Sequence, residues 1–382
     1  MKKAAIYVHI PFCLAKCRYC TFNSYAGLHH LQERYVGALV REIAESARTE
    51  APLRVSSMYL GGGTPTVLST NLLGRILNAC AEQFAVVGDA EITIEANPGT
   101  VESSHLSDLR ALGVNRLSVG VQSFDDKLLG LLGRLHNAAR AAETYHQARK
   151  AGFDNINLDL IYGLPTQSLS QWETDLSTAV VLKPEHLSLY CLSVEQGTTL
   201  ARLIAGGELS SPDPDLAAAM YERAEDLLAG AGYVHYEISN WALSGRECQH
   251  NTTYWLNRPY LGFGAGAHSY SGRFRYHNVL SPQEYVQRVE SRQEIVGGRE
   301  EIDRATELSE TMIMGLRLCR GVSFSEFEER FDVSFVQIYG DQMREMIELG
   351  LLDVNGSGVR LTPRGRLLGN DVFERFLPLG ID

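Results

Sequence analysis

The chain has 382 residues, of which 45% are hydrophobic and 21% charged, and its formal net charge at pH 7 is −11. A chain this acidic lacks the basic surface that is typical of nucleic-acid-binding proteins. No stretch approaches the roughly 18 apolar residues of a membrane span, and His9 and Pro11 interrupt the first apolar run before a secretory signal could form. We expect a cytoplasmic protein with one large and one smaller domain.

Three of the seven cysteines lie close together, directly after a short strand-like run. Cys13, Cys17 and Cys20 have the spacing C-x3-C-x2-C. Thiolates are the usual ligands of iron–sulfur clusters, and a [4Fe–4S] cube held by three cysteines keeps one iron open for another ligand. A zinc site is the alternative, with His29 or His30 as the fourth ligand.

The other four cysteines stand singly along the chain. The odd total of seven cysteines and the scatter of these four argue against a disulfide framework. We interpret Cys80, Cys191 and Cys319 as small buried hydrophobic residues.

Six strand-like segments alternate with segments of helical periodicity over the first 195 residues or so. They cover residues 4–9, 55–60, 91–96, 116–121, 155–161 and 186–192. Serial βα units form a parallel sheet, because each crossover has room for a helix. We therefore predict an α/β fold built on a partial (β/α)6 barrel that resembles a TIM barrel.

The predicted strands are polar on one face, because polar residues alternate with aliphatic ones in 91–95, 117–122 and 155–159. Helices cover the outside of such a barrel, so the polar faces must point inward, where a filled barrel would carry bulky aliphatic side chains. We expect an open, wet lumen that admits a polar ligand.

Candidate ligand-binding residues fall at the carboxyl ends of these strands, the face where barrels keep their active sites. Gly61–Gly63 ends the second strand, and Glu95 and Gln122 end the next two; Asp159 lies late in the fifth. Glycines let a ligand reach the backbone, and carboxylates suit ribose hydroxyls or an ammonium group. The planar guanidinium of Arg134 can donate two parallel hydrogen bonds to a carboxylate. The alternative interpretations are that the glycines form only a tight turn, that the two carboxylates are simply solvated, and that Arg134 is an ordinary surface arginine.

Six segments together resemble the oxygen-independent coproporphyrinogen III oxidase family of the radical S-adenosylmethionine (SAM) superfamily. They are YVHIPFC (7–13), GGGTP (61–65), EANP (95–98), SVGVQSF (118–124), LDLIYGLP (158–165) and YEISN (236–240). The resemblance implies that Cys13, Cys17 and Cys20 hold a [4Fe–4S] cluster and that SAM caps its fourth iron. The residues that match the SAM-binding positions of the family are Tyr7, Gly62, Gly63, Thr64, Glu95, Gln122, Arg134 and Asp159.

A further motif resembles the heme-chaperone branch of that family. This branch carries H-N-x-x-Y-W, which matches His250, Tyr254 and Trp255, whereas Phe22 stands where the decarboxylating oxidase has a further cysteine. The resemblance implies that His250 ligates heme iron and that the two aromatic rings lie against the porphyrin. An exposed histidine and ordinary packing of the aromatic pair are the alternatives.

The segment from Asn240 to Tyr270 is rich in glycine, serine and aromatic residues, and we predict a long loop there. Cys248 is an alternative heme ligand in this loop, and His268 and His277 are lesser candidates.

Residues 305–382 predict a winged-helix-like α+β domain of three helices followed by a hairpin with its turn at Asn355–Gly356. This part holds eight arginines, no lysine and thirteen acidic residues, a net charge of −5. We expect a lid or docking role rather than DNA binding. The predicted domains are thus a radical SAM barrel core (1–240), a heme-loop and connecting region (241–304) and this C-terminal domain (305–382).

We predict a heme chaperone that carries a [4Fe–4S] cluster and SAM, binds heme and transfers it to acceptor apoproteins, without a catalytic residue of its own. The alternatives are a radical SAM enzyme that decarboxylates coproporphyrinogen III and a winged-helix regulator with a sensing cluster. We expect neither a nucleic-acid partner nor a transmembrane segment, and the sequence leaves open a homodimer and a peripheral membrane contact.

Overall fold

The computed structural model describes residues 2–49 and 53–378. The first half of the chain alternates strands and helices. Its elements are β1 Lys2–Ile10, β2 Phe12–Cys13, β3 Tyr25–Ala26, α1 Gln32–Thr49, β4 Leu53–Gly62, α2 Thr70–Gln83, β5 Ala85–Ala96, α3 Ser103–Ala111, β6 Arg116–Gln122, α4 Asp126–Leu132, α5 Ala138–Lys150, β7 Ile156–Tyr162, α6 Leu169–Leu182 and β8 His186–Cys191.

Strands β1, β4, β5, β6, β7 and β8 pair in this order, and every pair is parallel. All six predicted strands are therefore present, and the partial (β/α)6 barrel is confirmed. The aliphatic sides of the strands pack under the helices in one large core that includes Ile6, Leu60, Ile94, Leu117 and Leu158.

The barrel sheet continues at both edges. The elements that follow β8 are α7 Thr199–Ala205, α8 Pro214–Gly230, β9 Val234–Glu237, β10 Asn240–Ala242, α9 Gln249–Trp255, β11 Tyr260–Phe263, β12 His268–Ser271, β13 Phe274–Asn278, α10 Pro282–Glu290 and β14 Val296–Glu301. β10 and β9 add antiparallel strands beside β8. β11 pairs in parallel with β1, and β12, β13 and β14 extend this edge in antiparallel fashion. One open sheet of twelve strands results.

The prediction of a long loop between Asn240 and Tyr270 is wrong. The segment contains β10, the helix α9, β11 and most of β12. Its glycine content misled the prediction, because the glycines there permit close packing rather than a free loop. A Cβ at Gly262 would lie 2.0 Å from the carbonyl oxygen of His268, and a Cβ at Gly264 would lie 2.6 Å from the hydroxyl of Tyr35.

The lumen is polar, as predicted, but it is open only toward the carboxyl ends of the strands. Deeper in the barrel, buried side chains fill it with hydrogen bonds. Asn157 donates to Ser118 (2.8 Å) and accepts from Ser188 (3.1 Å), and its Oδ1 lies 2.7 Å from Nδ1 of His186. The prediction of an open lumen was therefore wrong for this deeper half, because the inward polar residues satisfy one another there.

The C-terminal part has its own core and a three-stranded antiparallel sheet. Its elements are α11 Arg304–Leu316, β15 Val322–Ser323, α12 Phe324–Phe331, α13 Phe335–Glu348, β16 Leu352–Val354, β17 Gly358–Leu361, α14 Pro363–Leu367 and α15 Gly369–Glu374. The predicted hairpin turn is present, with Gly356 at φ 83° and the Asn355 side chain accepting from the backbone N–H of Gly358 (3.0 Å). This is the predicted winged-helix-like arrangement, and residues 379–382 of the predicted domain lie outside the described residues.

The C-terminal part is attached to the barrel by polar contacts. The guanidinium of Arg366 donates to Glu225 of α8 at 2.6 Å, and the Arg317 guanidinium lies 4.3 Å from the ring centre of Trp255 in α9. No helix in residues 2–49 or 53–378 combines the length and the apolar character that crossing a membrane requires.

Candidate functional site

The three clustered cysteines lie on one loop at the carboxyl end of β1. Cys13 ends the short strand β2, which pairs with β3 and so closes the loop at its base. Lys16 braces the loop from within by donating to the carbonyl oxygens of Phe22 (3.1 Å) and Ser24 (3.2 Å). All three cysteines are half-buried free thiols, and they line one cavity of about 380 Å³.

Two polar side chains approach the thiols. Sγ of Cys13 lies 3.6 Å from the hydroxyl of Thr64, and Nη1 of Arg134 donates to Sγ of Cys17 at 3.4 Å. Burial raises the pKa of the Cys13 thiol. His29 and His30 are exposed and do not line the cavity. In the part of the chain that the structure describes, no three His, Cys, Asp or Glu side chains converge to hold a single metal ion.

The triple glycine lets the end of β4 approach the cysteine loop closely. A Cβ at Gly63 would lie 2.7 Å from the carbonyl oxygen of Phe12 and 3.0 Å from Sγ of Cys13. Gly62 has φ 115°, a conformation that other residues rarely adopt, and a Cβ there would lie 2.5 Å from the His9 ring. Glycine is thus required at both positions because other parts of the same chain pack closely against them. The absence of side chains also exposes the backbone to the cavity.

Glu95 places a carboxylate at the junction of β4 and β5. It accepts from the hydroxyl of Tyr59 (2.9 Å) and from the backbone N–H of Gly62 (3.0 Å). Shielding from water raises the pKa of Glu95 to about 7, with the charge of Asp159 adding to the shift. The carboxyl group can therefore change its charge near neutral pH.

Asp159 and Gln122 complete the cavity wall on β7 and β6. Asp159 accepts from Ser118 (3.1 Å) and Asn157 (2.8 Å), and burial raises its pKa. Gln122 ends β6 with φ 70°, and strained non-glycine conformations of this kind concentrate at functional sites.

Arg134 is positioned by the helix that precedes it. Asp125 caps α4 by accepting from the backbone N–H groups of Lys127 and Leu128, and Gly133 ends the helix at φ 73°. The chain then turns so that Nη2 of Arg134 donates to the carbonyl oxygen of Gly120 at 2.7 Å. The remaining face of this guanidinium is turned toward the thiols.

We expect Glu95 to make the stability of the protein depend on pH. The raised pKa means that the folded state binds the proton more tightly than the unfolded state. The stabilisation that comes from this protonation of Glu95 is complete below about pH 4.5 and is lost as the pH rises to about 7. Its loss lowers the free energy of unfolding by up to about 3 kcal/mol. Denaturant unfolding at both ends of this window should show a smaller pH dependence in Glu95→Gln. Equal pH dependence in the two proteins would contradict the assignment.

A second cavity, of about 480 Å³, adjoins the first. The two share Phe22, Gly62 and Glu95 in their walls. Seven of the eight predicted SAM residues line the smaller cavity, and the eighth, Tyr7, lines the larger one together with Tyr254 and Trp255. The predicted cluster, SAM and heme regions are therefore contiguous.

His250 lies behind the wall of the larger cavity rather than in it. Its side chain is buried, with Nδ1 3.1 Å from the hydroxyl of Ser57 and Nε2 2.8 Å from that of Tyr254. Burial, and then the nearby charge of Arg116, lower the pKa of His250 to about 3. The imidazole is thus neutral, as an iron ligand must be, but both of its nitrogens are occupied.

Glu91 holds the first turn of α9, the helix that carries His250. Its carboxylate accepts from the backbone N–H groups of Gln249 and His250, each at 3.1 Å, and from the thiol of Cys248 at 3.5 Å. Cys248 is completely buried, and burial raises the pKa of its thiol to about 12.

Comparison with known proteins places these features in a family. The Radical SAM superfamily matches residues 7–179, and the HemN C-terminal domain matches residues 302–368. Proteins of Lactococcus lactis and Bacillus subtilis, both named heme chaperone HemW, are each 38% identical to this chain. The first match covers 98% of this chain and 98% of the relative, and the second covers 99% of each. The chain belongs to the HemW family.

Other relatives extend the HemW family and its neighbours. The mouse protein named radical S-adenosyl methionine domain-containing protein 1, mitochondrial, is 35% identical over 98% of this chain and 88% of its own length. The structure of coproporphyrinogen III oxidase (HemN) of Escherichia coli, described as a radical SAM enzyme, matches with a TM-score of 0.86 and 28% identity, covering 98% of this chain and 90% of that one.

Membership of the HemW family, within the radical SAM superfamily, implies a [4Fe–4S] cluster and SAM, and the smaller cavity fits both. Three thiols on one loop can meet three corners of a cube. Nε of Arg134 is buried and has no hydrogen-bond partner among the described residues, although it belongs to the wall of this cavity. Glu95 and Asp159 line this cavity with carboxyl oxygens that could accept hydrogen bonds from hydroxyl or ammonium groups.

Several residues of the two cavities escaped the sequence analysis. Asn23, Arg258 and Met314 line the larger cavity, and no motif pointed to them. His9 lines it too; the YVHIPFC segment contains this residue, but no role was assigned to it. The prediction that Cys191 is buried was wrong, because β8 ends there and its thiol is exposed in the wall of the smaller cavity. Cys80 is buried as predicted, and Cys319 is half-buried.

Proposed function

We propose that this protein is a heme chaperone that takes up heme and transfers it to acceptor apoproteins, with a [4Fe–4S] cluster and SAM bound beside the heme. The observation that carries the proposal is the match, over nearly the whole chain, to proteins named heme chaperone HemW. The aromatic cavity next to the cysteine loop supports it, because a flat apolar ligand requires such walls.

In this proposal, Cys13, Cys17 and Cys20 hold the cluster. SAM binding is assigned to Tyr7, Gly62, Gly63, Thr64, Glu95, Gln122, Arg134 and Asp159. The reduced cluster would supply electrons for SAM chemistry, although in a chaperone SAM can also serve as a structural ligand or a trigger. Arg134 would orient the SAM carboxylate, while the carboxylates of Glu95 and Asp159 would bind donor groups.

The residues proposed for heme are His250, Tyr254 and Trp255. Tyr254 and Trp255 line the larger cavity, which supports this assignment. His250 keeps the Tyr254 hydroxyl in place; to ligate iron it would have to give up its contacts with Tyr254 and Ser57. Direct ligation by His250 would therefore involve a displacement of α9.

The proposed domains are the barrel core (1–240), the heme-binding and connecting region (241–304) and the C-terminal domain (305–382). Met314 of α11 reaches the larger cavity, so the C-terminal domain can act as its lid. A cytoplasmic location belongs to the same proposal, since thiols stay reduced there and remain available to a cluster.

The second candidate function is oxidative decarboxylation of coproporphyrinogen III. The similarity to HemN, with a TM-score of 0.86, favours it. Phe22 weighs against it, because this exposed aromatic residue stands where the resemblance implies a further cysteine in the decarboxylase.

An anaerobic assay of the reconstituted protein with heme and with coproporphyrinogen III separates the two functions. We expect stoichiometric heme binding, read from the Soret band, no decarboxylated product, and transfer of the bound heme to an apoprotein such as apomyoglobin. Product formation without stable heme binding would contradict the chaperone and establish the enzyme. Omitting SAM in a parallel reaction tests whether either result depends on it.

A further inference from the structure

Three histidines lie at or near the larger cavity, and they differ in what their rings contact. His250 is buried with both nitrogens hydrogen-bonded. His9 is buried too, with Nδ1 2.9 Å from the Tyr7 hydroxyl and Nε2 2.8 Å from the carbonyl oxygen of Asn23. His268 is exposed, and its ring has no hydrogen-bond partner in the part of the chain that the structure describes. It alone of the three has an imidazole available without rearrangement.

The position of His268 is fixed by the sheet. It begins β12 and pairs with His277 of β13, and the two ring centres lie 5.1 Å apart. His277 is packed on the glycines of β14, where a Cβ at Gly298 would lie 2.6 Å from Nε2 of His277, and it does not line the cavity. The strand pair thus places the His268 imidazole at the cavity, while the His277 imidazole lies against β14 outside it.

The rest of the cavity suits a porphyrin that carries carboxylates. Phe22, Tyr254 and Trp255 provide aromatic faces in its wall. Arg258 lines the same wall, is exposed, and forms no ion pair within the described residues. The other arginine of the wall, Arg275, is already engaged by Glu310 and Asn257. The volume of the cavity, about 480 Å³, falls within the usual range for ligand pockets.

We propose that His268 is an axial ligand of the heme iron in this cavity and that Arg258 binds a heme propionate. The inference rests on the proposed heme-chaperone function and deepens it, because it names a ligand outside the H-N-x-x-Y-W motif. The iron accepts an electron pair from a neutral imidazole nitrogen, and no redox step is required. Heme can then bind while α9 stays in place and His250 keeps its hydrogen bonds.

The test is titration of ferric heme into the wild type and into His268→Ala, His277→Ala, His250→Ala and Arg258→Ala, with optical and electron paramagnetic resonance spectra of each complex. We expect His268→Ala to lose the spectral signature of imidazole ligation and to bind heme at least about tenfold more weakly. Free imidazole should restore the signature. Arg258→Ala should weaken binding about tenfold and leave the signature intact. His277→Ala, on the same strand pair, is the matched control and should retain both.

An unchanged spectrum in His268→Ala would overturn the proposal. So would loss of the imidazole signature in His250→Ala with its retention in His268→Ala, since the iron would then be held by His250 after a movement of α9. A wild-type protein that binds no heme at all would instead contradict the chaperone function itself, so the two failures are distinguishable.

Discussion

Replacing Cys13, Cys17 and Cys20 together by serine is expected to abolish the iron–sulfur cluster. The three thiols line one cavity, and a hydroxyl is a poor substitute for a thiolate on iron. Iron content after anaerobic reconstitution should fall from about four atoms per chain to near zero, with loss of the visible charge-transfer absorbance. Far-UV circular dichroism should change little, because the loop is also held by the β2–β3 pairing and by Lys16.

Cys191→Ser is the matched control for this experiment. Its thiol is exposed and lines the same cavity, but it belongs to the end of β8 and not to the cysteine loop. We expect this variant to retain its full iron content. If Cys191→Ser lost iron as completely as the triple variant, the cluster would have a fourth protein ligand, and the place assigned to SAM would be wrong.

Glu91→Ala is expected to cause the largest loss of stability of any single substitution in the barrel lumen. The change removes the acceptor of two backbone N–H groups and one thiol at the start of α9, and the N–H of His250 and the thiol of Cys248 are buried. It also deprives the fully buried Arg116 of a nearby negative charge. Unsatisfied buried donors and an unpaired buried charge together cost about 3–5 kcal/mol. Denaturant unfolding should show a correspondingly lower midpoint.

Glu91→Gln provides the comparison, because an amide keeps one acceptor oxygen and about the same volume. We expect it to lose less than half as much stability as Glu91→Ala. Near-UV circular dichroism should register the loosening of Tyr254 and Trp255 in the alanine variant. A Glu91→Ala protein as stable as the wild type, with an unchanged aromatic signal, would show that Glu91 does not hold α9.

The positions of the residues proposed to bind SAM could be predicted because parallel sheets obey a simple geometry. Strands recognised by their alternating pattern all end at the same edge, so Gly62, Glu95, Gln122 and Asp159 had to lie close together. Arg134 required the resemblance as well, since nothing in its neighbourhood tells a cavity-lining arginine from a surface one. Its direction depends on the left-handed end of α4 at Gly133 and on the carbonyl group of Gly120.

The region after β8 could not be predicted in the same way. A segment rich in glycine and aromatic residues is predicted to be a loop when only local preferences are considered. The segment is ordered by partners far away in the chain: Glu91 caps α9, and β11 pairs with β1. Such contacts join residues that are far apart in the chain, and short-range patterns do not encode them.

The sequence by itself determined the family, the six parallel strands, the cysteine loop and the cluster of candidate ligands at one edge, because each depends on residue spacing along single strands and loops. Only the tertiary structure decided that His268 lines the larger cavity while His250 does not. His250 contacts Ser57, 193 positions away, and Tyr254 one turn further along α9, and is buried, whereas His268 at the start of β12 is left exposed in the cavity wall. Burial is a property of what packs around a side chain, and elements distant in the chain supply it.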